Sequence, residues 1–197
     1  MTTRRTARTL AAHVAAGALA ATSGCDWLAN QIPDVPSQSS AQPTAPASES
    51  VQDRAMRLDK EAAKKAYLAG FAETDRIAMA GGAEKATKKL TDNFSGTYLE
   101  GNLEALQLFA KNGWHTDRAA TTRVATDQGW NASKIELTAC EDSTKVRTLD
   151  KSGKEVNKGG VRLIVQTLVA KKTGDRWKID SQTSRPVKTF DNEAGCS

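Results

Sequence analysis

Three cysteines and a single histidine beyond the first residues are the side chains with the most chemical scope in this chain. Cys25, Cys140 and Cys196 could carry a covalent modification, a disulfide, a metal or a redox exchange. Metal and redox roles find no support. There is no C-x-x-C spacing, and two cysteines with His115 are too few for a structural zinc site. His115 sits between Trp114 and Thr116, with Asp117 two residues on. Any Ser-His-Asp or Cys-His system would have to use it, and no nucleophile signature accompanies it, so it reads as a partly exposed junction residue. No glycine-rich phosphate loop or dinucleotide fingerprint occurs. The expected catalytic set, metal set and cofactor are therefore none.

Cys25 has a context of its own. Arg4, Arg5 and Arg8 open the chain with no acid before Asp26, and the weakly apolar run Leu10–Ala21 follows, interrupted only by His13. A basic start, a short apolar run and small residues make an export signal over 1–24, too short to span a bilayer as a mature helix. Thr22-Ser23-Gly24-Cys25 resembles a bacterial lipobox, with Thr22 standing where Leu is usual. Cys25 is then the expected mature N-terminus and lipid attachment site, carrying a diacylglycerol thioether and fatty acyl chains such as palmitate. Thr3-Arg4-Arg5 is similar to the start of a twin-arginine signal, but Ala7 and Arg8 stand where an apolar residue would follow. Removing the signal takes three arginines from 28 basic residues and leaves 25 against 23 acids, a net charge of +2. A basic nucleic-acid footprint is not indicated.

Residues 25–50 read as a tether. Four of the five prolines lie in 31–50 among Ser, Gln and Ala. Such a segment cannot bury enough apolar surface to offset its ordering entropy, and proline keeps it extended.

From Val51 the pattern becomes helical. Met56, Ala63, Tyr67 and Phe71 share a stripe, and Gly81-Gly82 stops it. A second piece carries Ala86, Leu90 and Phe94. A third is expected to start at Asn102 as N-cap, with Leu103, Leu106 and Phe109 as its stripe and Asn112-Gly113 as its end. After Trp114 the period changes to two. Thr122 and Val124 alternate with Arg123, and Gln128–Asn131 reads as a turn. Ile135, Leu137 and Ala139 share one strand face, Asp150–Gly153 turns, Val161–Ala170 is the most apolar and so central strand, and Arg176–Asp180 follows. Helices first and antiparallel strands afterwards predict an α+β domain over 51–197.

The helical opening around Tyr67 to Phe71, Cys140-Glu141-Asp142-Ser143, Leu149-Asp150-Lys151-Ser152-Gly153 and Gly174-Asp175-Arg176-Trp177-Lys178-Ile179, with a cysteine near the end at Cys196, carry a resemblance over roughly 53–197. This part resembles small exported actinobacterial lipoproteins with a nuclear-transport-factor-2-like (NTF2-like, cystatin-like) domain. The resemblance implies N-terminal helices on a curved antiparallel sheet, a cone. That superfamily hosts isomerases, cyclases, dehydratases and non-enzymatic binding domains, so fold does not give function. An isomerase-type site would need a carboxylate base and a hydrogen-bond donor in an apolar pocket. Glu136, Asp180 and Tyr98 are the candidates, and parity leaves open which sheet face they serve.

With Cys25 lipidated, Cys140 and Cys196 remain as an even pair in an oxidising compartment, and a structural disulfide is expected. Closing that loop is worth on the order of 4 kcal/mol. The functional expectation is a membrane-anchored extracytoplasmic lipoprotein acting as a non-enzymatic binding or protein-interaction module. Its partners are the membrane through Cys25, an envelope protein and an unknown small molecule. The alternative is an enzyme or carrier using the cone pocket. A pocket holding a carboxylate would favour the alternative, and a filled cone with an exposed apolar patch the interaction module.

Overall fold

The computed structural model describes residues 49–156, 160, 162–191, 193 and 196, without the side chains of 126–128. The expected export signal, Cys25 and the expected tether as far as Ser48 lie outside the described residues.

Among the described residues three helices come first: α1 (Val51–Met79), α2 (Lys88–Asn93) and α3 (Gly96–Asn112). Six strands follow: β1 (His115–Thr116), β2 (Thr121–Trp130), β3 (Lys134–Asp142), β4 (Thr148–Leu149), β5 (Leu163–Thr173) and β6 (Arg176–Pro186). The main sheet is antiparallel throughout in the order β2-β3-β5-β6, and β1 pairs with β4. The expected α+β class and helices-before-strands order are those of the structure.

Local chemistry explains the boundaries. Ser50 caps α1 by accepting the Asp53 N–H at 3.0 Å, which satisfies one of the orphan donors of a helix start. Thr87 does the same for α2 through the Leu90 N–H at 3.2 Å. Gly113 closes α3 in the left-handed region at φ 66°, where a side chain would be strained. The third helix has its N-cap at Ser95, seven residues before the expected N-cap Asn102. Asn102 lies mid-helix with its Nδ2 donating to the Tyr98 carbonyl at 2.8 Å. The β2 strand also runs on through the expected turn to Trp130, across an irregularity between Ala125 and Gly129. The reversal itself is made by Asn131, whose side-chain oxygen accepts the N–H groups of Ser133 and Lys134.

Strand alternation sorts the sheet into two faces. One carries Ile135, Leu137 and Ala139 of β3, Leu168 and Ala170 of β5, and Trp177 and Ile179 of β6. These pack with Ala63, Tyr67 and Ile77 of α1, Leu90 and Phe94 around α2, and Tyr98 and Leu106 of α3. Gly70 is where α1 approaches Phe94, and a Cβ there would run into the ring. Further ties hold helices to β6: Trp177 Nε1 donates to Asp59 Oδ1 at 2.8 Å, and the Ser95 N–H donates to the Ile179 carbonyl at 2.8 Å. The opposite face carries Cys140 and Val165, covered by Val187, Phe190 and Cys196 of the C-terminal segment. Cys140 and Cys196 are disulfide-bonded there with Cα atoms 5.6 Å apart. Arg123 Nη1 donates to the Cys196 carbonyl at 3.2 Å and adds to the clasp.

Candidate functional site

The helix-covered face is apolar except at one end. On α1, Tyr67, Thr74 and Asp75 lie seven and eight residues apart, two helical turns, and so share one side. Tyr98 and Asn102 come from α3 at i and i+4. The sheet contributes Thr122 of β2, its Cα partner Glu141 of β3, and Gln166 of β5, which pairs with Ala139 on the same face.

These groups meet. Tyr67 Oη lies 3.4 Å from Thr122 Oγ1. Tyr98 stands beside Tyr67, and Asn102 Nδ2 donates to the Tyr98 backbone carbonyl at 2.8 Å. The Thr74 hydroxyl is shared between the Gly70 carbonyl at 3.1 Å and Asn102 Oδ1 at 3.3 Å. The Ala120 N–H donates to Asp75 Oδ2 at 3.2 Å. Gln166 Nε2 donates to Glu141 Oε2 at 2.9 Å, while Gln166 Oε1 is buried with no partner. Tyr67 is fully buried and Tyr98 nearly so, whereas Asp75 and Glu141 are half-buried.

The electrostatics follow from that arrangement. Burial disfavours the charged form of Asp75 and pushes its carboxyl up to about 6, and the single N–H of Ala120 only partly offsets this. Burial likewise raises Glu141. The charge of Asp75 adds to the rise, and the Gln166 amide opposes it. Both tyrosines are held far above the ordinary phenol range, first by burial. Among the described residues no cation lies within ion-pair distance of Asp75 or Glu141. Other buried carboxylates here are treated differently: Glu73 is held low by the Arg76 guanidinium, and Thr87 and Lys89 assist. An acid left without such a partner in a partly desolvated place is a candidate functional group.

Of the three sequence candidates only Tyr98 is in this cluster. Glu136 lies on the other face of β3, half-exposed and paired with Lys134 Nζ at 2.6 Å. Asp180 sits outside the cluster beside the start of α3, held by Lys171 Nζ at 2.6 Å and Ser95 Oγ at 3.3 Å. His115 is half-buried in β1, opposite Leu149. The candidate acids that sequence reasoning missed are Asp75 and Glu141, and both had a signal. The stripe Met56, Ala63, Tyr67, Phe71 continues in steps of four to Asp75, and the face of Ile135, Leu137 and Ala139 continues in steps of two to Glu141.

The exposed large apolar residues on the helices, including Leu68 and Leu108, stand among charged neighbours such as Lys64, Lys65, Glu104 and Lys111. Singly exposed apolar residues are ordinary on a protein surface.

No protein-family model matches the chain, and no curated protein matches it. Solved structures do align with it. The intermembrane space region of the chloroplast protein ARC6 aligns at 17% identity over 61% of this chain and 95% of its own, with TM-score 0.44. A candidate dehydratase of the NTF2-like family from Streptomyces avermitilis aligns at 17% identity over 68% of this chain and 99% of its own, with TM-score 0.42. A candidate aromatic ring hydroxylase from Novosphingobium aromaticivorans aligns at 17% identity over 69% and 96%, also with TM-score 0.42. Scores below 0.5 carry no argument about activity, and the site is read from its own geometry.

Proposed function

We propose that this chain is an exported, lipid-anchored envelope protein whose curved, NTF2-like α+β domain binds a small molecule between its helices and its sheet. The domain is a binding module, and its seat is the end of the interior formed by Tyr67, Asp75, Tyr98, Thr122, Glu141 and Gln166. One observation carries the reading. Two acids without a cation partner among the described residues, and a buried amide oxygen unpaired among them, occupy the same end of an otherwise apolar interior. Burying such groups costs free energy unless something pairs with them. A ligand that enters there would repay the cost. The anchor rests on the basic start, short apolar run and small residues that converge on Cys25.

A second reading, catalysis at the same place, is favoured by the Asp75 carboxyl at about 6. A base poised near neutral pH is what proton abstraction requires, and the two tyrosines would supply hydrogen bonds.

Cell fractionation and native mass spectrometry test the proposal together. The full chain is expected in the membrane fraction, and Cys25→Ser in the medium or as an unprocessed precursor. The detergent-released full chain is expected to carry a non-covalent small molecule that leaves on unfolding. A Cys25→Ser variant that fractionates like the parent overturns the anchor. A chain that is always empty overturns the binding role. Conversion of the released molecule by the native chain, abolished in Asp75→Asn, would replace binding by catalysis.

A further inference from the structure

Resting on the interior site as the seat of a ligand, we propose that the ligand is a small organic cation, an amine protonated at neutral pH. The balance of donors and acceptors leads there. Gln166 is only 5% exposed and faces Glu141 with its amide nitrogen. Turning the amide over would set its oxygen against the carboxylate, so the nitrogen stays there and Oε1 is left facing no donor. Asp75 uses one oxygen on the Ala120 N–H. Glu141 uses one on Gln166. The Tyr67 hydroxyl lies 3.4 Å from that of Thr122, so these two serve each other. What the site offers a ligand is therefore chiefly acceptors and negative charge: Gln166 Oε1 and one oxygen each of Asp75 and Glu141, beside the hydroxyls.

A protonated amine is the complement: several donors, no acceptor, and one positive charge. An alcohol would satisfy one acceptor and leave two negative charges uncompensated. An anion would meet both acids in a medium of reduced dielectric. A divalent cation takes six or more oxygen ligands, or a group of acids to hold it. Among the described residues no group of three or more His, Cys, Asp or Glu could hold a metal ion. Half-burial of Asp75 and Glu141 leaves both within reach of solvent, and so of an entering ligand.

The test uses three probes of one skeleton on the detergent-solubilised full chain: benzylammonium, benzyl alcohol and benzoate. Binding is followed by NMR of labelled tyrosine and glutamine side chains. Benzylammonium is expected to shift the signals of Tyr67, Tyr98 and Gln166 and to bind at least tenfold more tightly than benzyl alcohol, with benzoate silent. Asp75→Asn and Glu141→Gln are each expected to lower the affinity for benzylammonium at least tenfold while leaving that for benzyl alcohol unchanged. Equal binding of the ammonium and the alcohol overturns the cation and leaves the interior site standing. Failure of all three probes to shift those signals overturns the interior site itself. Binding of benzylammonium that both variants retain overturns the assignment to the two acids.

Discussion

Replacing Asp75 by asparagine should make the domain more stable at neutral pH and leave it unchanged in acid. The side chain keeps its shape and an oxygen for the Ala120 N–H, so what changes is the charge. The folded-state carboxyl sits at about 6, against an ordinary value of 3.8. The folded domain therefore holds this proton more tightly than the unfolded chain does. Above pH 6 the acid is ionised in both states and folding bears the full cost of its burial. As pH falls through 6 the folded form takes up the proton and the cost shrinks; below about pH 4 it is gone. A shift of about 2 units corresponds to about 3 kcal/mol. Because solvent reaches the half-buried group and screens it, about 1–2 kcal/mol is the expected gain at pH 7. For a domain of this size that is roughly 3–6 °C in melting temperature. Urea unfolding of the parent and Asp75→Asn at pH 7 and pH 4 measures it. A variant less stable than the parent at pH 7, or a gap that stays the same at pH 4, would refute the account of Asp75 as a buried, uncompensated acid.

The other expectations concern the frame around the site. A chain starting at Glu49 should unfold cooperatively, and one starting at Val51 should be weaker by about 1 kcal/mol through loss of the Ser50 cap, as thermal melts will read. Loss of cooperative unfolding in the 49–197 piece would refute the boundary. Reduction of the Cys140–Cys196 bond should lower stability by on the order of 4 kcal/mol with little change in far-UV circular dichroism. Two titratable thiols in the denatured, unreduced protein would refute the bond. Gly70→Ala should destabilise by about 1–3 kcal/mol because its methyl meets the Phe94 ring, and chemical denaturation would show it; a neutral result would refute that close approach.

Periodicity located the α+β order, the helix ends at Gly81 and Gly113, and the central place of the strand around Leu168, because each depends on local chemistry or on apolar content. The start of α3 was hidden by Ser95-Gly96-Thr97, which reads as a turn; burial of Tyr98 against Phe94, at 4.7 Å between ring centres, overrides that local preference. The acids of the site were hidden for a related reason. A polar residue on an apolar stripe looks like the end of the stripe, so both patterns stopped one repeat short, at Phe71 and Ala139. Only the meeting of α1 with β3 and β5 distinguishes Asp75 and Glu141 from solvated acids such as Glu136, and that contact is long-range. Gln166 sits in the most apolar strand, and its unpaired oxygen has no counterpart in the sequence.

Cys140 and Glu141 are consecutive on β3, one facing the C-terminal clasp and the other the candidate site. A slip of β3 by one residue would exchange them, sending an acid into the apolar clasp and the thiol into the interior. Once Cys140 is joined to Cys196, that exchange is closed off covalently. The bond thus works as a proofreader of strand alignment: a chain that pairs β3 out of step cannot complete it, and a chain that completes it has already turned Glu141 inward. Oxidation would in this way fix the orientation of Glu141 from the far side of the sheet, without any atom of the bond touching that side chain's face.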